Sequence, residues 1–193
     1  YANENGIPFV ALEKIDISML TYEIKNGEVT ITDCDTSATE VVIPEKIQGY
    51  PVTAIADNAF ATSTNLVEVI IPDSVTTIGE FAFDDSTALK SVRIPDSVTK
   101  IDFGAFDGCT ALTTLTIPDS VTTIGQAIFY KCTLLESVTL PKGMKTIGYD
   151  FFYECKSLKT VTIPDNVASI ERSAFFDCES LEQITIPDGV ETI

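Results

Sequence analysis

Histidine and tryptophan do not occur in this 193-residue chain, methionine occurs twice, and Lys and Arg number 12 against 29 Asp and Glu. Without imidazole there is no ordinary general base to activate a serine or cysteine, and the commonest metal ligand is missing. No Gly-x-Ser-x-Gly turn or phosphate-binding glycine loop offers a substitute. Carboxylate pairs such as Asp84-Asp85 recur with no partner suited to acid–base work. No catalytic residue, metal site or cofactor is therefore assigned, and the chain is expected not to be an enzyme. The net charge of −17 argues against nucleic acid and anionic lipid as partners, because both would repel it. No apolar run approaches the ~18 residues of a membrane span, so direct membrane insertion is not expected. A hydrophobic content of 45% nevertheless leaves ample surface to bury, which separates the chain from disordered acidic segments.

What is present is repetition. A proline recurs at positions 44, 72, 95, 118, 141, 164 and 187, with every step after the first equal to 23 residues. The first step is five longer, and the extra residues lie in "PEKIQGYPV", where Gly49 and Pro51 signal a turn or loop. Three further columns stay in phase: Leu66 to Leu181, Phe60 to Phe175, and Val75 to Val190, the last followed three residues on by Ile78 to Ile193. One 23-residue unit offers about six side chains for burial, too few to offset the entropy of ordering it. Stacked units share each apolar face with two neighbours, so the same residue types must recur, and the period predicts a solenoid. Segments such as "LKTVTI" alternate as a short strand, and the proline after them ends it.

The unit "LKTVTIPDNVASIERSAFFDCES" (Leu158–Ser180) resembles the leucine-rich repeat of the BspA-like class of bacterial surface proteins. The likeness covers residues 38–193: one unit with the five-residue insertion, five full units and one truncated unit. The Asn ladder of the more familiar leucine-rich repeat is missing, and Ser74, Ser97, Ser120, Gly143 and Gly189 occupy its neighbourhood. The resemblance implies a right-handed leucine-rich repeat solenoid, with one short parallel strand per repeat on a concave face and short helical or irregular turns on a convex face. It also implies a secreted or cell-surface location and an adhesive or host-contacting role. Ahead of the array, Asn26-Gly27 sits between Tyr22/Ile24 and Val29/Ile31 and predicts a β-hairpin, placed in an N-terminal cap over residues 1–37. The first residue is Tyr1 and the last repeat breaks off at Ile193. The sequence is thus expected to be part of a longer protein whose export signal has been removed.

Four features carry candidate chemistry. Cys109, Cys132, Cys155 and Cys178 are 23 apart, with Ser63 and Ser86 earlier in the same column. A ladder cannot close a tetrahedron around one metal ion, and free interchange with serine favours buried thiols over bridges. The acidic row Asp73, Asp96, Asp119, Asp165 and Asp188 reads as turn chemistry on a solvated rim. Strand positions pointing away from the core form two rows, Arg93, Thr116, Thr139, Thr162, Thr185 and Ser91, Thr114, Ser137, Thr160, Gln183. They read either as a hydroxyl-rich docking face or as good exposed strand formers. Finally, Tyr130, Tyr153 and Phe176 arrive late in one column, as an exposed patch for a partner or as a packed ladder. The expected function is a non-catalytic binding module whose concave face takes a protein or glycan ligand. The alternative is a rigid spacer or self-associating stalk presenting other domains.

Overall fold

The computed structural model describes residues 17–193, and the part of the expected cap that falls on residues 1–16 lies outside them. The chain opens with β1 (Leu20–Lys25) and β2 (Glu28–Cys34), an antiparallel pair closed by Asn26-Gly27. Both turn residues have positive φ, 55° and 82°, the two-residue turn that the right-handed twist of a hairpin favours. Next come β3 (Glu40–Val42), β4 (Lys46–Ile47) and β5 (Tyr50–Ile55). The five-residue insertion is itself a hairpin: β4 pairs antiparallel with β5 across Gln48-Gly49, again with two positive φ values. It takes up the extra length, with Ile47 still buried in the core, and leaves the spacing of the later units undisturbed.

From there each unit contributes two strands. The first sheet continues with β6 (Glu68–Ile70), β8 (Ser91–Arg93), β10 (Thr114–Thr116), β12 (Ser137–Thr139) and β14 (Thr160–Val161). The second continues with β7 (Thr77–Ile78), β9 (Lys100–Ile101), β11 (Thr123–Ile124), β13 (Thr146–Ile147) and β15 (Ser169–Ile170). Where neighbouring units pair, they do so in parallel and in register, as in Val69↔Val92 and Ile78↔Ile101. β2 pairs in parallel with β5, so the N-terminal hairpin joins the second sheet as its leading rung. The solenoid expected from the period is therefore present, with a second strand per repeat beyond the one that the resemblance implies. That strand is only two residues long, too short to display alternation.

The third side of each coil is a turn, and among the described residues it contains no helix. Two residues per turn hold left-handed backbone, four apart: Asn58 and Thr62, Phe81 and Asp85, Gly104 and Gly108, Ala127 and Lys131, Asp150 and Glu154, Ser173 and Asp177. Non-glycine residues adopt this conformation at a cost of roughly 1 kcal/mol each. The return is an amide turned toward the next unit. Asn58, Phe60 and Thr62 donate to the carbonyls of Glu80, Ala82 and Asp84, and the same three bonds recur down the stack.

Inside, the columns stack on themselves. Phe60, Phe83, Phe106, Phe129, Phe152 and Phe175 form an unbroken pile, successive ring centroids 5.0–6.0 Å apart and near-parallel. Beside it, each thiol of Cys109, Cys132, Cys155 and Cys178 donates at 3.1 Å to a phenylalanine carbonyl of the preceding unit. Ser86 makes the same bond at 2.7 Å, which explains why serine and cysteine interchange in this column. Ser63, first in the row, is the one buried side-chain oxygen without a partner among the described residues. All five cysteines are free, and burial pushes Cys34 and Cys178 up to about 11 and the three interior thiols higher still. A second polar ladder takes the place of the missing asparagines: Ser97 and Ser120 donate to the carbonyls of Val75 and Val98.

These roles predict opposite outcomes for two neighbouring core substitutions. Cys132→Ser keeps a donor of similar size, and denaturant unfolding should place it within about 1 kcal/mol of wild type. Phe106→Ala opens a gap in the middle of the pile and should cost about 3–5 kcal/mol.

Candidate functional site

The outward face of the first sheet is set by the strand period. Val69, Val92, Leu115, Val138 and Val161 point inward and are buried, which turns their neighbours out. Thr114, Ser137 and Thr160 lie in register across β10, β12 and β14, and Thr116 lies opposite Thr139. Thr162 comes directly after β14, and like Thr114, Thr116, Thr139 and Thr160 it is exposed; Ser137 is half-buried. Arg93 closes β8 and sits in register with Ile70. Its guanidinium reaches Asp73 at 3.8 Å with both groups exposed, a pairing worth little in free energy. All seven residues expected to form the docking face are therefore on one face.

That face is not uniform. Among the described residues no ladder joins β8 to β10, and a shallow hollow of about 480 Å³ opens along the gap, lined by Ser91, Arg93, Asp96, Thr114, Thr116 and Pro118 among others. The second sheet has a matching gap between β11 and β13, with a smaller hollow of about 260 Å³. Each gap falls at a residue longer than the valine that otherwise fills its column from the first unit through Val167: Leu115 in one, Met144 in the other. A longer inward side chain needs more room between turns of the coil.

Toward the N-terminal end the face changes chemistry. The positions occupied by Ser and Thr in later units hold Glu40 and Glu68 in one row and Val42 and Ile70 in the other, paired across β3 and β6. Val42 and Ile70 are each 44% exposed. Sequence reading missed these four, because the rows were followed only from Ser91 and Arg93 onward. Carrying the register back across the 28-residue step would have found them.

The turn side resolves the aromatic column into a ladder. Tyr130 stacks on Tyr153 with centroids 4.7 Å apart, and Tyr153 on Phe176 at 4.8 Å. Lys131 lies over the Tyr130 ring at 5.1 Å. Ring faces are thus occupied by one another and by an ammonium group, leaving mostly edges to solvent, although Phe176 remains 54% exposed. The same column carries carboxylates in earlier units. Burial first, then the neighbouring Asp84 and Asp85 carboxylates, push Asp107 up to about 7 against the pull of Lys131. Asp84 is raised too, by burial and by Asp85. Among the described residues no group of three or more Cys, Asp or Glu side chains could hold a metal ion.

The BspA type leucine rich repeat region matches residues 32–156 in six copies. Among solved structures, the chain is similar to the T. pallidum leucine rich repeat protein TpLRR, with 32% identity and a TM-score of 0.87 over 92% of this chain and 84% of that one. It is also similar to a leucine rich cell surface protein of Faecalibacterium prausnitzii, with 38% identity and a TM-score of 0.82 over 91% of this chain. There it spans about half, 48%, of that protein's length. A leucine-rich repeat protein of Bacteroides ovatus shares 30% identity at a TM-score of 0.67, covering 92% of this chain and 54% of that one. No curated protein matches the chain.

The half-buried Asp107 carboxylate gives a pH signature. A carboxyl whose pKa is higher folded than unfolded binds extra protons when folded, so its contribution to stability falls as pH rises from about 4 to 7. Asp107→Asn removes that loss. Thermal melting should place it ~2–4 °C above wild type at pH 8, about 1 kcal/mol after allowing for solvent screening, with no difference near pH 4.

Proposed function

Since this chain belongs to the BspA-type leucine-rich repeat family, we propose that it is a non-catalytic binding module, acting outside the cell in adhesion or partner contact. The observation that carries this reading is the outward face of the first sheet. Its side chains are released from packing, lie in register over consecutive strands, and flank an open hollow beside Arg93. Repeat arrays commonly use such a surface for docking, because it is rigid and can vary without disturbing the core. A protein or glycan, host-derived in the adhesive version of this reading, would contact Arg93, Thr114, Thr116, Ser137, Thr139, Thr160 and Thr162. The resemblance to a Faecalibacterium protein described as a cell surface protein supports an extracellular setting.

A second reading draws on the core. One hydrophobic cluster runs from Leu20 to Ala174 without interruption, which favours a stiff rod that holds other domains at a distance. The two readings separate in a binding experiment. Presented with a panel of extracellular-matrix proteins and glycans, the wild-type chain should retain at least one ligand, and the triple variant Thr116→Glu, Thr139→Glu, Thr162→Glu should lose it about tenfold or more. A wild-type chain that binds nothing in the panel favours the spacer. A ligand held equally by the triple variant places binding elsewhere.

A further inference from the structure

We infer that the N-terminal end of the first sheet's outward face is a subsite for a cationic, aliphatic-bearing segment of a partner protein, an inference that rests on this face being the docking surface. The repeats supply their own control. In later units, serine, threonine and arginine fill the outward positions of the same strand, so neither exposed aliphatics nor carboxylates are needed to form it. In the first two units those positions hold Val42 beside Ile70 and Glu40 beside Glu68.

Both choices carry a cost in the free protein. Like charges directly opposite on neighbouring strands repel, and neither Glu40 nor Glu68 has an ion-pair partner among the described residues. Arg93, in the row of Val42 and Ile70, pairs with Asp73 instead. Threonine would serve the strand as well as valine or isoleucine and would leave no apolar side chain in water. A partner that brings a lysine or arginine over the glutamates and an aliphatic side chain over Val42 and Ile70 relieves both at once.

Charge selects the class of partner. The flanking row adds Glu45, Asp73 and Asp96 along the same edge, on a chain of net charge −17. A neutral glycan does not answer the paired carboxylates, and a sialylated or sulfated one adds to the repulsion. An extended polypeptide running between the two rows, with basic and aliphatic residues alternating, answers both, because its successive side chains point to opposite sides and so reach one row each.

The test uses labelled peptides of alternating Lys and Val, Ser and Val, and Glu and Val, with affinity read by fluorescence anisotropy on the whole chain. The Lys–Val peptide should bind wild type with an affinity that falls as salt rises, and bind at least about tenfold tighter than the other two. Glu40→Lys with Glu68→Lys should lose most of that binding, and so should Val42→Thr with Ile70→Thr, which installs the residue of the later units. Asp165→Lys with Asp188→Lys makes the same change in net charge far from the patch and should bind the peptide within about threefold of wild type. Absence of binding to wild type, equal loss in the two lysine variants, or equal binding of the Ser–Val peptide would overturn the inference. The underlying reading fails separately. If a ligand from the matrix panel is lost with the threonine-to-glutamate triple variant but held by Glu40→Lys with Glu68→Lys, the docking face stands and this subsite does not. If neither variant affects it, the face itself is wrong.

Discussion

Most of the large side chains buried in the described coils pack against their counterparts in the neighbouring units. Paired strands are spaced at about 4.8 Å, and that spacing is imposed on what packs between them. The phenylalanine pile answers it with near-parallel rings 5.0–6.0 Å apart, and the thiol ladder with one hydrogen bond per step. Neither arrangement tolerates a unit of a different length inside the coil. The one longer unit therefore takes up its five extra residues in a hairpin, Lys46–Ile47 against Tyr50–Pro51, and leaves the inner columns in phase. The left-handed turn residues belong to the same logic. Apart from the two glycines each is locally unfavourable, and from Asn58 to Glu154 each aims an amide at the next coil, where it is paired.

The core thus leaves little freedom, and chemistry is confined to what points out. On the first sheet the outward rows grade from acidic and aliphatic, through Arg93 and the hollow beside it, to an all-hydroxyl stretch. On the turn side one column passes from half-buried carboxylates to a stacked aromatic ladder. The polar ladders inside the coil are structural by contrast, since their donors are spent on backbone carbonyls.

Much of this was legible in the sequence, and the reasons for the remainder are specific. The solenoid and its buried columns could be read because stacking forces identical residues to recur at Phe83, Phe106 and Phe129 or Val75, Val98 and Val121. The Asn26-Gly27 hairpin could be read because its turn demands that chemistry. The second sheet could not, because strands such as Thr77–Ile78 have a single inward residue and no alternation to detect. The left-handed turns were hidden for a different reason. Their twelve positions hold residues as unlike as Asn58, Phe81, Ala127 and Ser173, with glycine only at Gly104 and Gly108, so cross-unit hydrogen bonding rather than residue type sets the conformation. The hydroxyl rows could be followed along the outward face because they alternate with buried valines, but the distinctive end of that face was overlooked where the insertion broke the count.

If stability resides in the interfaces between units, the register of the stack matters more than the number of units in it. Deleting residues 112–134 removes one whole period and rejoins Ala111 to Leu135, restoring every column. Calorimetric melting of this variant should show one cooperative transition at a lower temperature than wild type. Deleting residues 112–131 instead leaves the later units out of phase by three, and should abolish that transition for the C-terminal part of the array. Similar melting of the two variants would contradict the account, because stability would then not depend on each side chain meeting its own counterpart.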